Sequence, residues 1–214
     1  MGRGRLILIE GLDRTGKTTQ TSILTDRLKP NAQLIKFPDR STTIGKLINQ
    51  YLTDKNFNLP NQSVHLLFSA NRWEVAENIK ETLLNGTNVI LDRYVYSGIA
   101  YSAAKDVDGM DLQWCLNPDK GLLKPDLTLF LTNESNDDAE RDGFGEERYE
   151  NVQFQKKVKK QFYAAFTEFE TPNSNTLKLV DVTNKSIEEV SEEIWKLVQP
   201  ILSNKEENQE FSFF

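Results

Sequence analysis

Apolar residues fall along this chain in short unbroken runs, separated by longer stretches in which they return every three or four positions. The runs Arg5–Glu10, Gln33–Phe37, Asn88–Asp92, Asp126–Leu131 and Leu177–Val182 are rich in Ile, Leu, Val and Phe, with little polar alternation. Runs of that kind predict strands covered on both faces, as in a parallel sheet. The helical period predicts helices over Thr18–Leu28, Thr42–Thr53, Ser63–Leu84, Asp111–Leu116, Arg148–Phe169 and Ile187–Leu202. In the third of these, Val64, Leu67, Phe68, Val75 and Ile79 form one stripe at steps of three and four. Strands alternate with helices, which predicts an α/β three-layer sandwich around one five-stranded parallel sheet.

No repeat and no Pro- or Gly-rich linker divides the chain, so residues 1–214 read as a single domain. Residues 133–150 stand apart as polar and charged, with Gly143 and Gly145. That segment is either an ordinary solvated loop or a lid over a site. The tail ends in Phe211, Phe213 and Phe214, rings expected to pack back on the body.

Composition narrows the chemistry. With 26 Lys and Arg against 32 Asp and Glu, the net charge is −6, and no basic block offers a grip on long nucleic acid. One cysteine, Cys115, excludes an internal disulfide and a multi-cysteine zinc site, and one histidine, His65, excludes a two-histidine metal motif. The four apolar residues Leu6–Ile9 near the start are too few for a signal peptide or a membrane span. The expected compartment is the cytoplasm, with entry into the nucleus left open.

The first strand runs straight into Gly11-Leu12-Asp13-Arg14-Thr15-Gly16-Lys17-Thr18, a full match to G-x-x-x-x-G-K-[ST]. A chance match in a chain of this length is roughly a one-in-a-hundred event. Glycines at those positions let backbone N–H groups and a helix N-terminus face a polyphosphate. Lys17 would neutralise the β- and γ-phosphates, and Thr18 would offer its hydroxyl to Mg²⁺. The third strand ends in Asp92-Arg93-Tyr94; Asp92 is the candidate second magnesium residue, and Arg93 has the planar fork for phosphate oxygens. A GTPase switch is disfavoured, because D-x-x-G fails at Val95 and N-K-x-D, begun at Asn184-Lys185, fails at Ile187.

The cradle with Asp13-Arg14 inside it, the stretch Phe37-Pro38-Asp39-Arg40-Ser41-Thr42, the helical piece from Leu67 to Trp73, and Asp92-Arg93-Tyr94 followed by Ser97-Gly98 and Tyr101 resemble the thymidylate (dTMP) kinases of the P-loop nucleoside monophosphate kinase group. A fifth stretch, Phe144 to Glu150, lies at the end of the lid segment. The resemblance covers nearly the whole chain and is nearest to eukaryotic members.

The resemblance implies phosphorylation of dTMP to dTDP, with ATP·Mg as donor, by a homodimer that binds small molecules rather than nucleic acid or membrane. It implies that Gly11, Thr15, Gly16, Lys17, Thr18 and Thr19 hold the ATP phosphates, with Arg14 on the transferred phosphoryl. Arg141 and the turn at Asn184-Lys185 would flank the adenine. It implies an acceptor site of Asp13 at the sugar 3′-hydroxyl, Phe37, Arg40 and Arg93 at the 5′-phosphate, Phe68 stacked on the base, Arg72 on a base oxygen, Gly98, Tyr101 along the sugar, and Tyr149 from the lid side. Lys17, Arg14, Arg93 and Asp92 would carry catalysis. Phe68 and Arg72 are four apart, hence on one helical face, and an arginine beside a core face needs a partner. Seven cations, Arg14, Lys17, Arg40, Arg72, Arg93, Arg141 and Arg148, are expected in one cleft. The competing readings are a deoxynucleoside kinase and a non-catalytic ATP-binding switch.

Overall fold

The computed structural model describes residues 2–133, 147–171, 175–203 and 210–214. Five parallel strands, β1 (Leu6–Gly11), β2 (Ala32–Lys36), β3 (Asn88–Asp92), β4 (Leu127–Thr132) and β5 (Leu177–Asp181), lie in the order β2-β3-β1-β4-β5. Alternate residues of the three central strands serve opposite layers. Leu6, Leu8, Val89, Leu91 and Phe130 face one core, while Ile7, Ile9, Ile90, Leu129 and Leu131 face the other. Both faces are therefore covered, which is why the strands read as continuous apolar runs. The expected three-layer α/β architecture is found.

Helices α1 (Lys17–Arg27) and α8 (Ile187–Ser203) cover the second core, α8 through Val190, Ile194 and Val198. The first core is closed by α4 (Ala76–Leu84), α5 (Val95–Ala103) and α7 (Val152–Phe169), with Phe162 and Phe166 of α7 against Phe130. A smaller cluster joins α2 (Thr43–Thr53) to α3 (Asn61–Trp73) through Ile48, Tyr51, Leu52 and Val64. The short α6 (Leu112–Leu116) runs into a 3₁₀ turn at Asn117–Asp119.

Two expected helices need correction, and one helix adds to those expected. The helix expected over Ser63–Leu84 is two helices, broken at Val75, whose φ of −117° leaves the helical range. Trp73 Nε1 donates to the Pro118 carbonyl at 2.8 Å, so α3 is fastened to the 3₁₀ turn while α4 swings to bring Ile79 and Leu83 onto the sheet. The helix expected from Arg148 begins at Val152, because the Asn151 side chain accepts from the N–H groups of Gln153 and Phe154 and caps it there. Helix α5 was not foreseen at all.

Of the tail rings, Phe214 packs against Tyr94 and Tyr96, with centroids 6.1 and 5.4 Å apart, and Phe211 also joins the first core. Phe213 is 53% exposed, contrary to the expectation for that ring. Among the described residues, no helix is long and apolar enough to cross a membrane.

Candidate functional site

Strand order reverses at β1, which lies between β3 and β4, so the crossovers leave a crevice beyond the carboxyl ends of β1 and β3. The glycine loop and Asp92-Arg93 both emerge there, since Ile9 pairs with Asp92. Gly16 has φ 83°, and a Cβ on Gly11, at φ 151°, would stand 2.6 Å from the Leu131 carbonyl oxygen. Only glycine meets both demands without strain. Arg14 and Arg93 also take left-handed φ, 68° and 67°. For a residue with a Cβ this costs on the order of 1–2 kcal/mol each, an expense that clusters at functional sites.

Glu10 holds the turn after β3 in shape. It is fully buried, and its carboxylate accepts from the N–H groups of Tyr94 (2.9 Å) and Ser97 (3.0 Å) and from the Ser97 hydroxyl (2.6 Å). Burial raises its pKa against the pull of Arg93 and of these donors. Arg93 is thus aimed between loop and cleft, where its guanidinium pairs with Asp13, donates to the Gly11 carbonyl at 3.3 Å, and lies over the Tyr101 ring.

Asp13 is the hub. Besides Arg93 it accepts from the Tyr101 hydroxyl (3.2 Å) and from Gln155 Nε2 (2.9 Å). Burial pushes its carboxyl up, but Arg93 and Lys17 outweigh burial and hold it below the usual range, so it stays ionised. Lys17 is buried and donates to the Leu12 carbonyl. Burial, with repulsion from Arg93 second, lowers its pKa to about 7 despite Asp13, Asp92 and Glu10. Thr18 Oγ1 donates to Asp92 Oδ2 at 2.8 Å. That side-by-side pair of hard oxygen donors fits Mg²⁺. No group of three His, Cys, Asp or Glu among the described residues could hold an ion alone. Mg²⁺ commonly takes one or two protein oxygens and completes its shell with phosphates and water.

A cavity of about 710 Å³ opens beside the loop. The structure brings Asp13, Thr18, Phe37, Arg40, Phe68, Arg72, Asp92, Arg93, Gly98, Tyr101 and Tyr149 together on its walls. Phe68 is half-buried with Tyr149 in the α2–α3 cluster, and Phe37 packs on Tyr94. Tyr149 stacks on Phe154 and meets Tyr101 at 5.6 Å. Arg40 is forked onto Glu147 at 2.8 and 3.1 Å, and bonds Asn49 at 2.9 Å.

Arg14, Thr15 and the exposed Thr19 lie on the loop and the first turn of α1, away from the cavity. Asn184, at φ 56°, and Lys185, paired with Glu193 at 2.6 Å, sit in the turn before α8. Gln20 of α1 donates to the Ile187 carbonyl at 2.9 Å and draws that turn toward the cradle.

Arg148 does not join the other cations. Its guanidinium donates to the carbonyls of Tyr51 (2.9 Å), Asp54 (3.1 Å) and Phe57 (2.8 Å) and covers the Tyr51 ring, fastening the chain beside Tyr149 to the end of α2. Arg141, with the rest of residues 134–146 of the 133–150 lid segment, lies outside the described residues. His65 is walled into the core, bonded to Ser102 Oγ (2.7 Å) and the Cys115 carbonyl (2.9 Å), and burial lowers its pKa to about 4. Glu10, Gln155, Glu147 and Asp119 were missed as site residues, because a lone acidic or amide residue carries no periodic signal.

Residues 9–194 match the family model for thymidylate kinase. The chain is 47% identical over 202 residues to thymidylate kinase of Schizosaccharomyces pombe, covering 93% of each, and 46% identical over 195 residues to that of Homo sapiens, covering 90% of this chain and 88% of the human one. The solved structure of thymidylate kinase from Candida albicans superposes with a TM-score of 0.89 at 49% identity, covering 100% of this chain and 99% of that one. An Ehrlichia chaffeensis thymidylate kinase at 24% identity, with a TM-score of 0.68, shares the fold. A glycine loop opening α1, a cavity lined by an aspartate of that loop, and these likenesses converge: the chain belongs to the thymidylate kinase family.

Proposed function

We propose that the chain transfers the γ-phosphoryl of ATP to dTMP, giving ADP and dTDP, in the crevice beyond β1 and β3. One observation carries the reading. Asp13 belongs to the donor loop that holds Lys17, yet it lines the acceptor cavity, where its carboxylate is bonded to Tyr101 and Arg93 of the cavity wall, and it is also bonded to Gln155 of α7. Donor and acceptor sites therefore share one rigid joint.

Roles follow from side-chain chemistry. Gly11, Thr15 and Gly16 shape the loop around the ATP phosphates, with Thr19 beside them and Asn184-Lys185 at the adenine end. Arg141 is assigned to that end by resemblance. Arg40 and Arg93 hold the dTMP phosphate, and Arg40 exchanges Glu147 for it. Phe68 stacks on the base, Arg72 meets a base oxygen, Phe37, Gly98 and Tyr101 line the sugar and phosphate path, and Tyr149 closes over the base. Asp13 accepts from the 3′-hydroxyl. The dTMP phosphate is itself the nucleophile: its second pKa is about 6, so no protein base is needed at neutral pH. His65, locked in the core, is consistent with that. Lys17 and Arg14 stabilise charge on the transferring phosphoryl, while the fixed Arg93 and Asp13 set the in-line approach. Thr18 and Asp92 would hold Mg²⁺, which neutralises phosphate charge when bound. Residues 1–214 act as one kinase domain, with 133–150 as the lid that excludes water, and the active form is a homodimer.

A coupled assay over thymidine, dTMP, dUMP and AMP tests the reading. The Candida albicans relative is described as having broad substrate specificity, so dTMP is expected to lead rather than stand alone. Preference for thymidine would replace the reading with a nucleoside kinase. No turnover of any acceptor would leave a binding protein.

A further inference from the structure

Arg72 is 2% exposed, and a guanidinium so buried needs a carboxylate. Its partner is Asp119 of the 3₁₀ turn, fully buried, which accepts from Nε at 3.1 Å and from Nη2 at 2.5 Å. The carboxylate is fixed in turn by the Ser69 hydroxyl, which donates to Oδ1 at 2.7 Å. Two parallel bonds set the plane of the fork as well as its place. A Cβ on Gly98 would stand 2.7, 2.9 and 3.0 Å from Nη2, Nη1 and Cζ. Those near-equal distances put the Gly98 backbone against the flat face of the guanidinium. Nη1 has no protein acceptor among the described residues, and Arg72 lines the cavity whereas Asp119 does not.

We propose that Asp119 is the positioning residue that aims Arg72 Nη1 at the acceptor base, and thereby sets the preference for a pyrimidine bearing oxygen rather than an amino group at position 4. The inference rests on the reading that Arg72 meets the base. An oxygen at position 4 accepts from Nη1, whereas an amino group there would set donor against donor. A guanidinium free to rotate would discriminate poorly, because a tilted fork could retreat from the amino group. A buried ion pair adds little net stability over apolar residues of equal volume, so the direction it imposes is its distinctive contribution.

The test compares Asp119→Asn, Ser69→Ala and Arg72→Lys, with rates corrected for active enzyme. Asp119→Asn should raise KM for dTMP about tenfold, leave KM for ATP unchanged, and cut the dTMP-to-dCMP ratio of kcat/KM by about tenfold. Ser69→Ala, which loosens Asp119 without removing it, should move the same two quantities about threefold. A folded Asp119→Asn with wild-type KM for dTMP and an unchanged ratio overturns the proposal. So does a variant in which only thermal stability falls. If Asp119→Asn does not fold, Ser69→Ala decides by the same criterion. Should Arg72→Lys shift both quantities while the other two variants do not, only the role of Asp119 falls. Should Arg72→Lys leave them unchanged as well, the base-reading role of Arg72 falls with it.

Discussion

Binding of ATP should draw a proton onto Lys17. In the free chain the ammonium is buried against Arg93, and its pKa is lowered to about 7. At pH 8 such a group is about one-tenth protonated, while at ordinary lysine values it is almost fully so. Phosphate oxygens brought against Lys17 restore the charged form, so uptake at pH 8 is about 0.9 proton per ATP. ATP is itself fully ionised at that pH and contributes little. Titration calorimetry in two buffers of different ionisation enthalpy reads the uptake directly. The apparent Kd should rise about tenfold per pH unit above 7 and flatten near pH 10. Lys17→Arg, charged throughout, should abolish both effects. The sign for stability is opposite: between about 7 and 10.5 the unfolded chain holds the extra proton, so this group makes the free chain more stable as pH rises. A binding heat independent of buffer at pH 8 would refute the reasoning.

Arg72→Ala should raise KM for dTMP by one to two decades and leave KM for ATP nearly unchanged, since a charge-assisted bond is worth about 1.5–3 kcal/mol; initial rates with each substrate varied in turn measure it. A dTMP analogue with a bulky 3′-group should push Asp13 and carry Arg14 with it, so kcat falls more than KM rises, whereas a 3′-deoxy analogue is affected less; a shift of 1 Å can cost about 100-fold, and steady-state kinetics with both analogues separates the two cases. Arg148→Ala strands the carbonyls at the end of α2 and should cost about 2–3 kcal/mol of stability, seen as a lower urea midpoint at constant m, together with a raised KM for dTMP because Tyr149 loses its anchor.

The sheet was legible in the chain because burial on both faces makes strands apolar without alternation. The glycine loop between β1 and α1 was legible because glycines at fixed spacing after an apolar run mark a turn with positive φ, found at Gly11 and Gly16. Helix α5 was not, since Val95, Tyr96, Ser97, Ile99, Ala100, Ser102 and Ala103 are buried all round and show no polar face. The single helix expected across Trp73 failed because a tertiary bond, Trp73 to Pro118, decides the break. Arg148 was placed in the cleft as a cation within the stretch from Phe144 to Glu150 that carries the resemblance, yet its fork is taken up by carbonyls at the end of α2. Periodicity foretold that Arg72 needs a partner. Asp119, 47 residues away, could be named only once the fold brought the 3₁₀ turn under α3.

The central claim is direct transfer between two nucleotides held by one loop. Mixing the protein with Mg²⁺, dTMP and ATP carrying an isotopically chiral γ-phosphoryl measures it: the account predicts that the label becomes the β-phosphate of dTDP with inverted configuration. Retention, or release of the label as inorganic phosphate while dTMP is present, would contradict it.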